Sequence, residues 1–380
     1  MTEQEKRIPN ILFVKRDDGG CGFFRCEQPA NFIKRMGLAK TEVVYKEATP
    51  EQFMWADLVV FQEMGTARAS NMANFCTEKR IPYICEFDDF VQHVSPNNKG
   101  GYHAWNPETL FIHRAMTMAR GALALTVSTH QLAREYFPYN PNIFVVPNYL
   151  DQEKWSVPIA KKKDGKLRIG WMGGNAHRDD LLMISKVIEK IVKEGKGKVL
   201  FETMGMTNAE IAGAIPLKEN HQRCEDCGYE GEFHAHPGES LDHYPMILGA
   251  KGWDIALAPV VDNSFGNAKS DLKIKEYAAV GFPIVASPVV PYREAAKNNA
   301  QILFAETFEE WYNSIKELIK SPAKRDQISR HNKEWVSQYW IQDNANKTFE
   351  VYRQVLELAK AVYGDNQKTP IINKDAIIKS

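Results

Sequence analysis

The stretch that decides the fold reads IALAPVVDNSFGNAKSDLKIKEYAAVGFPIVAS, residues Ile255 to Ser287. A short apolar run gives way to a polar loop. The spacing then predicts a helix from near Ser270 to Gly281, and a second apolar run follows at Pro283 to Ala286. A strand, a crossover helix stopped by glycine and a further strand make one βαβ unit of a parallel sheet. Moving outward, the same alternation predicts strands at Leu167 to Met172, Lys198 to Thr203, Asp254 to Pro259, Pro283 to Ala286 and Ile302 to Phe304. An earlier series is predicted at Asn10 to Lys15, Glu42 to Tyr45, Leu58 to Gln62, Tyr83 to Phe87, Ala122 to Val127 and Ile143 to Val146.

Two series of this kind define an α/β protein of two doubly wound, Rossmann-like domains facing across a cleft. The carboxyl ends of both sheets then share one crevice, where such folds bind ligands. The polar segment from Asp151 to Lys166, with Pro158 and the lysines 161 to 163, reads as a solvated linker. The expected division is 1–153 for the first domain and 154–340 for the second. Residues 341–365 are expected to form a helix packing back on the first domain, and 366–380 a tail.

Composition narrows the function. The 380 residues carry 48 basic and 48 acidic side chains, so no global charge excess draws the chain to nucleic acid or anionic lipid. The apolar runs are far shorter than the roughly 20 residues of a membrane helix. The polar start of the chain lacks a secretory pattern, and six cysteines do not amount to a disulfide framework. A cytoplasmic protein with reduced thiols is expected.

Several loops at strand ends can carry chemistry. The first strand leads into Asp17-Asp18-Gly19-Gly20-Cys21-Gly22-Phe23-Phe24-Arg25, which is not the dinucleotide G-x-G-x-x-G, so a nicotinamide site is rejected. Gly20 and Gly22 let backbone approach a ligand, and Arg25 either grips a phosphate or is the surface arginine of a tight turn. After Leu167 to Met172, the turn at Gly173 and Gly174 with His177 and Arg178 suits a diphosphate at a helix N-terminus; a purely structural turn is the alternative. On the predicted helix after Ser270, Lys269, Lys273 and Glu276 fall within about 60° of one another. Two ammonium groups for a diphosphate and a carboxylate for ribose hydroxyls match a sugar nucleotide, with Ser270, Asp271 and Leu272 beside them. A surface salt bridge worth a few tenths of a kcal/mol is the plain alternative.

Asp88 and Asp89 end a first-domain strand at the crevice, where a helix-capping or turn pair is the plain reading. Cys224 and Cys227 have structural-zinc spacing, and His234 and His236 could complete four ligands. Free thiols on an inserted loop are the favoured reading there, and no metal is assigned.

Taken together, Ile255 to Ser287, Gly170-Trp171 with His177, Pro147-Asn148 within Ile143 to Asp151, and Gly22-Phe23-Phe24-Arg25 with Pro29 resemble the family 4 glycosyltransferases of the GT-B fold. The resemblance runs in family order through nearly the whole chain. It implies transfer of a sugar from a nucleotide-diphosphate donor, with a uridine diphosphate sugar as the family-level choice. Transfer would retain anomeric configuration and need no cofactor or metal. It also implies that Asp88, Asp89, Lys269 and Lys273 serve catalysis and that the glycine turns and Glu276 hold the donor. One position departs: many members carry two glutamates eight residues apart, and here Ala268 stands in place of the first. Two rival functions are a nucleotide-sugar epimerase and a sugar-nucleotide-binding protein that has lost transfer. The acceptor is open between a glycan, a lipid-linked sugar, a protein and a modified DNA base.

Overall fold

Strand β1 (Asn10–Lys15) buries Ile11, Leu12, Phe13 and Val14 in succession, and β3 (Leu58–Gln62) is buried throughout. Such unbroken apolar strands belong to parallel sheets covered on both faces. The computed structural model describes residues 8–160, 162–206 and 233–364. In it, β1 and β3 join β2 (Lys40–Tyr45), β4 (Tyr83–Phe87), β5 (Ala124–Val127) and β6 (Ile143–Val145) in a parallel sheet of order β2-β1-β3-β4-β5-β6. The second sheet holds β7 (Leu167–Met172), β8 (Val199–Met204), β9 (Phe233–His236), β10 (Ile255–Ala258), β11 (Ile284–Ala286) and β12 (Ile302–Phe304). It is also parallel, in the order β12-β11-β10-β7-β8-β9. The α/β class with two doubly wound domains is therefore the architecture of the chain.

The second sheet has one strand that the alternation does not predict. Phe233–His236 is four residues long with two histidines, too short and too polar to read as a buried strand. It pairs with β8 at the sheet edge, where only one neighbour is required.

Each sheet has an order switch, between β1 and β3 in the first and between β7 and β10 in the second. Side chains on both faces of each sheet form separate apolar clusters, with Phe13 and Phe61 inside the first domain and Trp171 and Trp311 inside the second. Burying side chains of this size contributes about 1.5–3 kcal/mol each.

The chain crosses between the domains twice, and the crossings pair with each other. Leu150 N–H donates to Tyr339 O at 3.0 Å and Ile341 N–H to Leu150 O at 2.8 Å. The final helix, Ile341–Tyr363, returns to the first domain, where Phe349, Tyr352, Val355 and Leu356 pack with Ile11, Phe13 and Ile33.

Candidate active site

The loops at the carboxyl ends of β1, β4, β7, β8 and β10 converge on one cavity of about 540 Å³ between the domains. Gly20, Asp88 and Asp89 line it from the first domain; Gly173, Gly174, His177, Lys269, Lys273 and Glu276 line it from the second, with Ser270 and Leu272 beside them.

The second-domain wall is built on glycines. A Cβ on Gly173 would lie 2.7 Å from the Trp171 ring, and one on Gly205, whose φ is +105°, would lie 2.8 Å from Gly173 O. Gly174 has open space before it. Backbone at the ends of β7 and β8 thus forms a wall with room on its cavity side. The helix Arg178–Gly195 begins beside it.

His177 and Asp180 form the next layer. His177 Nδ1 lies 2.9 Å from Asp180 Oδ2, and Asp180 Oδ1 accepts Val261 N–H at 2.8 Å, joining the β7 and β10 loops. The lysine charge of Lys269, together with burial and Lys273, holds the imidazole down to about 3 despite Asp180. Asp180 stays below the ordinary aspartate range, its His177 hydrogen bond and the nearby lysines outweighing burial. A neutral ring beside an ionised carboxylate must donate from Nδ1, which leaves Nε2 as an acceptor.

Lys273 lies on the helix Leu272–Val280, which ends at Gly281 in the left-handed region with φ +97°. Its Nζ is closed off from solvent, 5.4 Å from the Trp171 ring, with no hydrogen-bond partner among the described residues. Burial pulls this ammonium down to about 8. Glu276, one turn further, accepts from Tyr244 Oη at 3.3 Å, and burial pushes its carboxyl up to about 8. Tyr244, missed in the sequence because nothing links it to Glu276 32 positions away, lines the same cavity.

Lys269 does not share a helix with Lys273, contrary to the expectation of one continuous face. Asn263 caps a separate short helix, Ser264–Ala268, and Lys269 follows it in extended backbone with its Nζ 4.7 Å from the Phe265 ring. Both lysines reach the cavity all the same. Asp271 is turned to Lys275, with 2.7 Å between charges, and Arg178 opens its helix; neither lines the cavity.

On the first-domain wall, a carboxylate holds the aspartate turn. Glu63 Oε1 accepts the N–H groups of Asp88 and Asp89 at 2.8 and 3.1 Å, while Arg16 lies 3.1 Å from its other oxygen. Burial pushes Glu63 up to about 8. Asp89 is raised by burial, with Lys269 opposing across the cleft. Asn148 Nδ2 donates to Asp88 Oδ1 at 3.0 Å.

Two further expectations are corrected. Arg25 is neither a surface arginine nor a cavity group: it is buried, 2.8 Å from Glu86, and its Nη1 donates to Val146 O and Asn148 Oδ1. Gly22 does not meet ligand either; a Cβ there would lie 2.0 Å from Asp17 O. Within this loop Asp17 Oδ1 accepts from Gly19 and Gly22 N–H. Of the four residues considered for zinc, Cys224 and Cys227 lie outside the described residues, and His234 and His236 stand on β9.

No protein-family model and no curated protein matches the sequence. Solved structures do share the fold. The chain is similar to Anabaena Alr3699/HepE in complex with UDP-glucose, at 14% identity and a TM-score of 0.63 over 91% of this chain and 99% of that one. It is similar to sucrose-phosphate synthase from Thermosynechococcus elongatus, at 10% identity and a TM-score of 0.61 over 92% and 99%. A putative UDP-N-acetylglucosamine 2-epimerase from Listeria monocytogenes covers 96% of this chain and 99% of its own, at 9% identity and a TM-score of 0.54. The chain thus has the GT-B fold, two Rossmann-like domains facing across a cleft. Among the described residues no helix is long and apolar enough to cross a membrane.

Proposed function

We propose that this protein is a glycosyltransferase of the family 4 type, moving a sugar from a nucleoside diphosphate donor to a hydroxyl acceptor with retention of configuration. The observation that carries the reading is the Lys273 ammonium, enclosed at the cavity wall without a hydrogen-bond partner among the described residues. A cation held this way is strongly stabilised by an anionic ligand, and Lys269 beside it makes the anion multivalent. Structures of the same fold solved with UDP and UDP-glucose make a uridine diphosphate sugar the first donor to test.

The two lysines would balance the charge that builds on the leaving diphosphate. Glu276 would accept from ribose hydroxyls, and His177 Nε2 from a sugar hydroxyl. Asp88 and Asp89 face this wall and would orient the sugar or stabilise positive charge at the anomeric carbon. In the proposed step the bond from anomeric carbon to phosphate oxygen breaks as the bond to the acceptor oxygen forms on the same face. The acceptor proton goes to the departing phosphate. The acceptor enters along the first domain, and its class is a glycan, lipid-linked sugar, protein or modified DNA base.

A thermal-shift panel of nucleotide sugars tests the donor, because a ligand bound at 100 times its Kd stabilises the native state by about 2.7 kcal/mol. The preferred donor, mixed with candidate acceptors, should release UDP and give a product of unchanged anomeric configuration by NMR. The fold shared with an epimerase supports one rival reading. Isomerised nucleotide sugar without acceptor would establish it, and tight donor binding with neither reaction would establish a binding protein.

A further inference from the structure

Away from the donor site, three side chains of the second sheet converge without serving the proposed transfer. Strands β8 and β9 pair with Glu202 opposite His234 and Met204 opposite His236. Because a strand alternates its faces, His234 and His236 project to one side, the side of Glu202. One ligand atom from each of the three lies within 4.8 Å of the others. His234 Nδ1 is 3.9 Å from Glu202 Oε1, and the two imidazoles approach edge-on at 82°.

We propose that Glu202, His234 and His236 bind a divalent transition metal of the zinc type, which ties the edge strand β9 to β8. Two imidazoles and a carboxylate are a ligand set that zinc accepts, with water in the fourth position. His236 Nε2 is buried and has no hydrogen-bond partner among the described residues, so it is an orphaned donor or acceptor in this sheet. Glu202 is oriented from behind by Trp253, whose Nε1 donates to Oε2 at 2.7 Å, in the manner of an outer-shell partner.

The basic groups nearby do not fill the site. Arg168 Nε is 3.6 Å from Glu202, but its guanidinium holds Asp164 through two bonds of 2.5 and 3.0 Å. Glu202 is the one anionic ligand of the three, and Arg168, Lys251 and Lys162 all act on it. Lys162 and Lys251 act on His236 through space, so binding rests on direct coordination and not on a diffuse negative field.

The consequence reaches the crevice without entering the chemistry. Gly205 N–H donates to His236 O at 3.0 Å, and Gly205 and Gly238 both line the cavity. An ion bridging β8 and β9 would fix that rim.

The test uses the full chain, stripped with a chelator and titrated with zinc chloride against a chromophoric chelator, with cobalt chloride in parallel. One equivalent is expected to bind and to raise the thermal midpoint. His236→Asn and, separately, Glu202→Gln should weaken binding by more than about 10-fold, with circular dichroism showing both variants folded. The cobalt complex should lack a thiolate charge-transfer band. Absence of binding by the folded wild-type chain, undiminished binding by folded His236→Asn, or a strong thiolate band would each overturn the assignment.

Discussion

Lys275 Nζ donates to the main-chain carbonyl of Asn148 at 3.1 Å, joining the donor-side helix to the segment through which the chain leaves the first domain. The same ammonium sits 2.7 Å from Asp271 and 4.0 Å from the centre of the Tyr339 ring, and it is fully buried. Asn148 in turn touches Asp88 and Arg25 through its side chain. One residue of the crossing thus sees a cation from each domain and a carboxylate of the cavity. Lys275→Met should lower stability by about 3 kcal/mol, since removing one partner of a buried pair leaves the other unbalanced. Urea unfolding with donor absent measures it, and a loss below about 1 kcal/mol would mean the contact is not a strut.

Arg25 belongs to the same network, and its substitution separates structure from binding. Arg25→Ala should destabilise the first domain by about 3–5 kcal/mol because Glu86 would be left buried and unpaired. UDP affinity, measured on the fraction that remains folded, should stay within about twofold of wild type. An affinity loss without a stability loss would return Arg25 to the donor site.

UDP binding should be strongest near pH 8. In the free protein burial brings Lys273 down and Glu276 up to about 8 each. A bound diphosphate favours the charged lysine, so above that pH binding takes up a proton and affinity falls by up to about tenfold per unit. A ribose held by the carboxylate favours charged Glu276, so below that pH binding releases a proton and affinity falls again. Calorimetry across the range should show both limbs, with Lys273→Met losing the alkaline one and Glu276→Gln the acidic one. Folding responds separately: between the ordinary glutamate value of 4.5 and about 8, the folded chain retains the Glu276 proton, so this group's stabilising contribution declines as pH rises.

Asp88 and Asp89 should govern turnover and not nucleotide binding, since they line the wall opposite Lys273. Asp88→Asn and Asp89→Asn should each lower kcat by about 10²-fold or more if they stabilise charge at the reacting carbon. UDP affinity should change less than about threefold. Glu63→Gln is the control for positioning: it keeps the shape that supports the two backbone N–H groups, so its kcat loss should be smaller.

The fold was legible because parallel strands buried on both faces leave unbroken apolar runs, such as Ile11 to Val14 and Ile255 to Ala258. Strand β9 was not, because an edge strand needs no such run. At the candidate site, local spacing points to the glycine turn, Lys273 and Glu276, and these residues line the cavity. Arg25 could not, since its partners Glu86 and Asn148 lie 61 and 123 positions away. Lys269 does not fall on the predicted helix because 100° arithmetic does not register the break at Lys269, whose backbone is extended between the helices Ser264–Ala268 and Leu272–Val280.

Ala268 offers the sharpest test of how this site departs from the paired-glutamate pattern. It is fully buried among first-domain residues, and its carbonyl accepts Thr129 Oγ1 at 3.1 Å across the domain boundary. The position is therefore filled by a packing contact, not left vacant for a sugar. Ala268→Glu should not enhance transfer. It should destabilise the chain by about 1–3 kcal/mol through overpacking, with a further penalty for burying a carboxylate. Thermal unfolding and transfer rate measured together decide the matter: a stable Ala268→Glu variant with raised kcat would show that the alanine is a lost catalytic position.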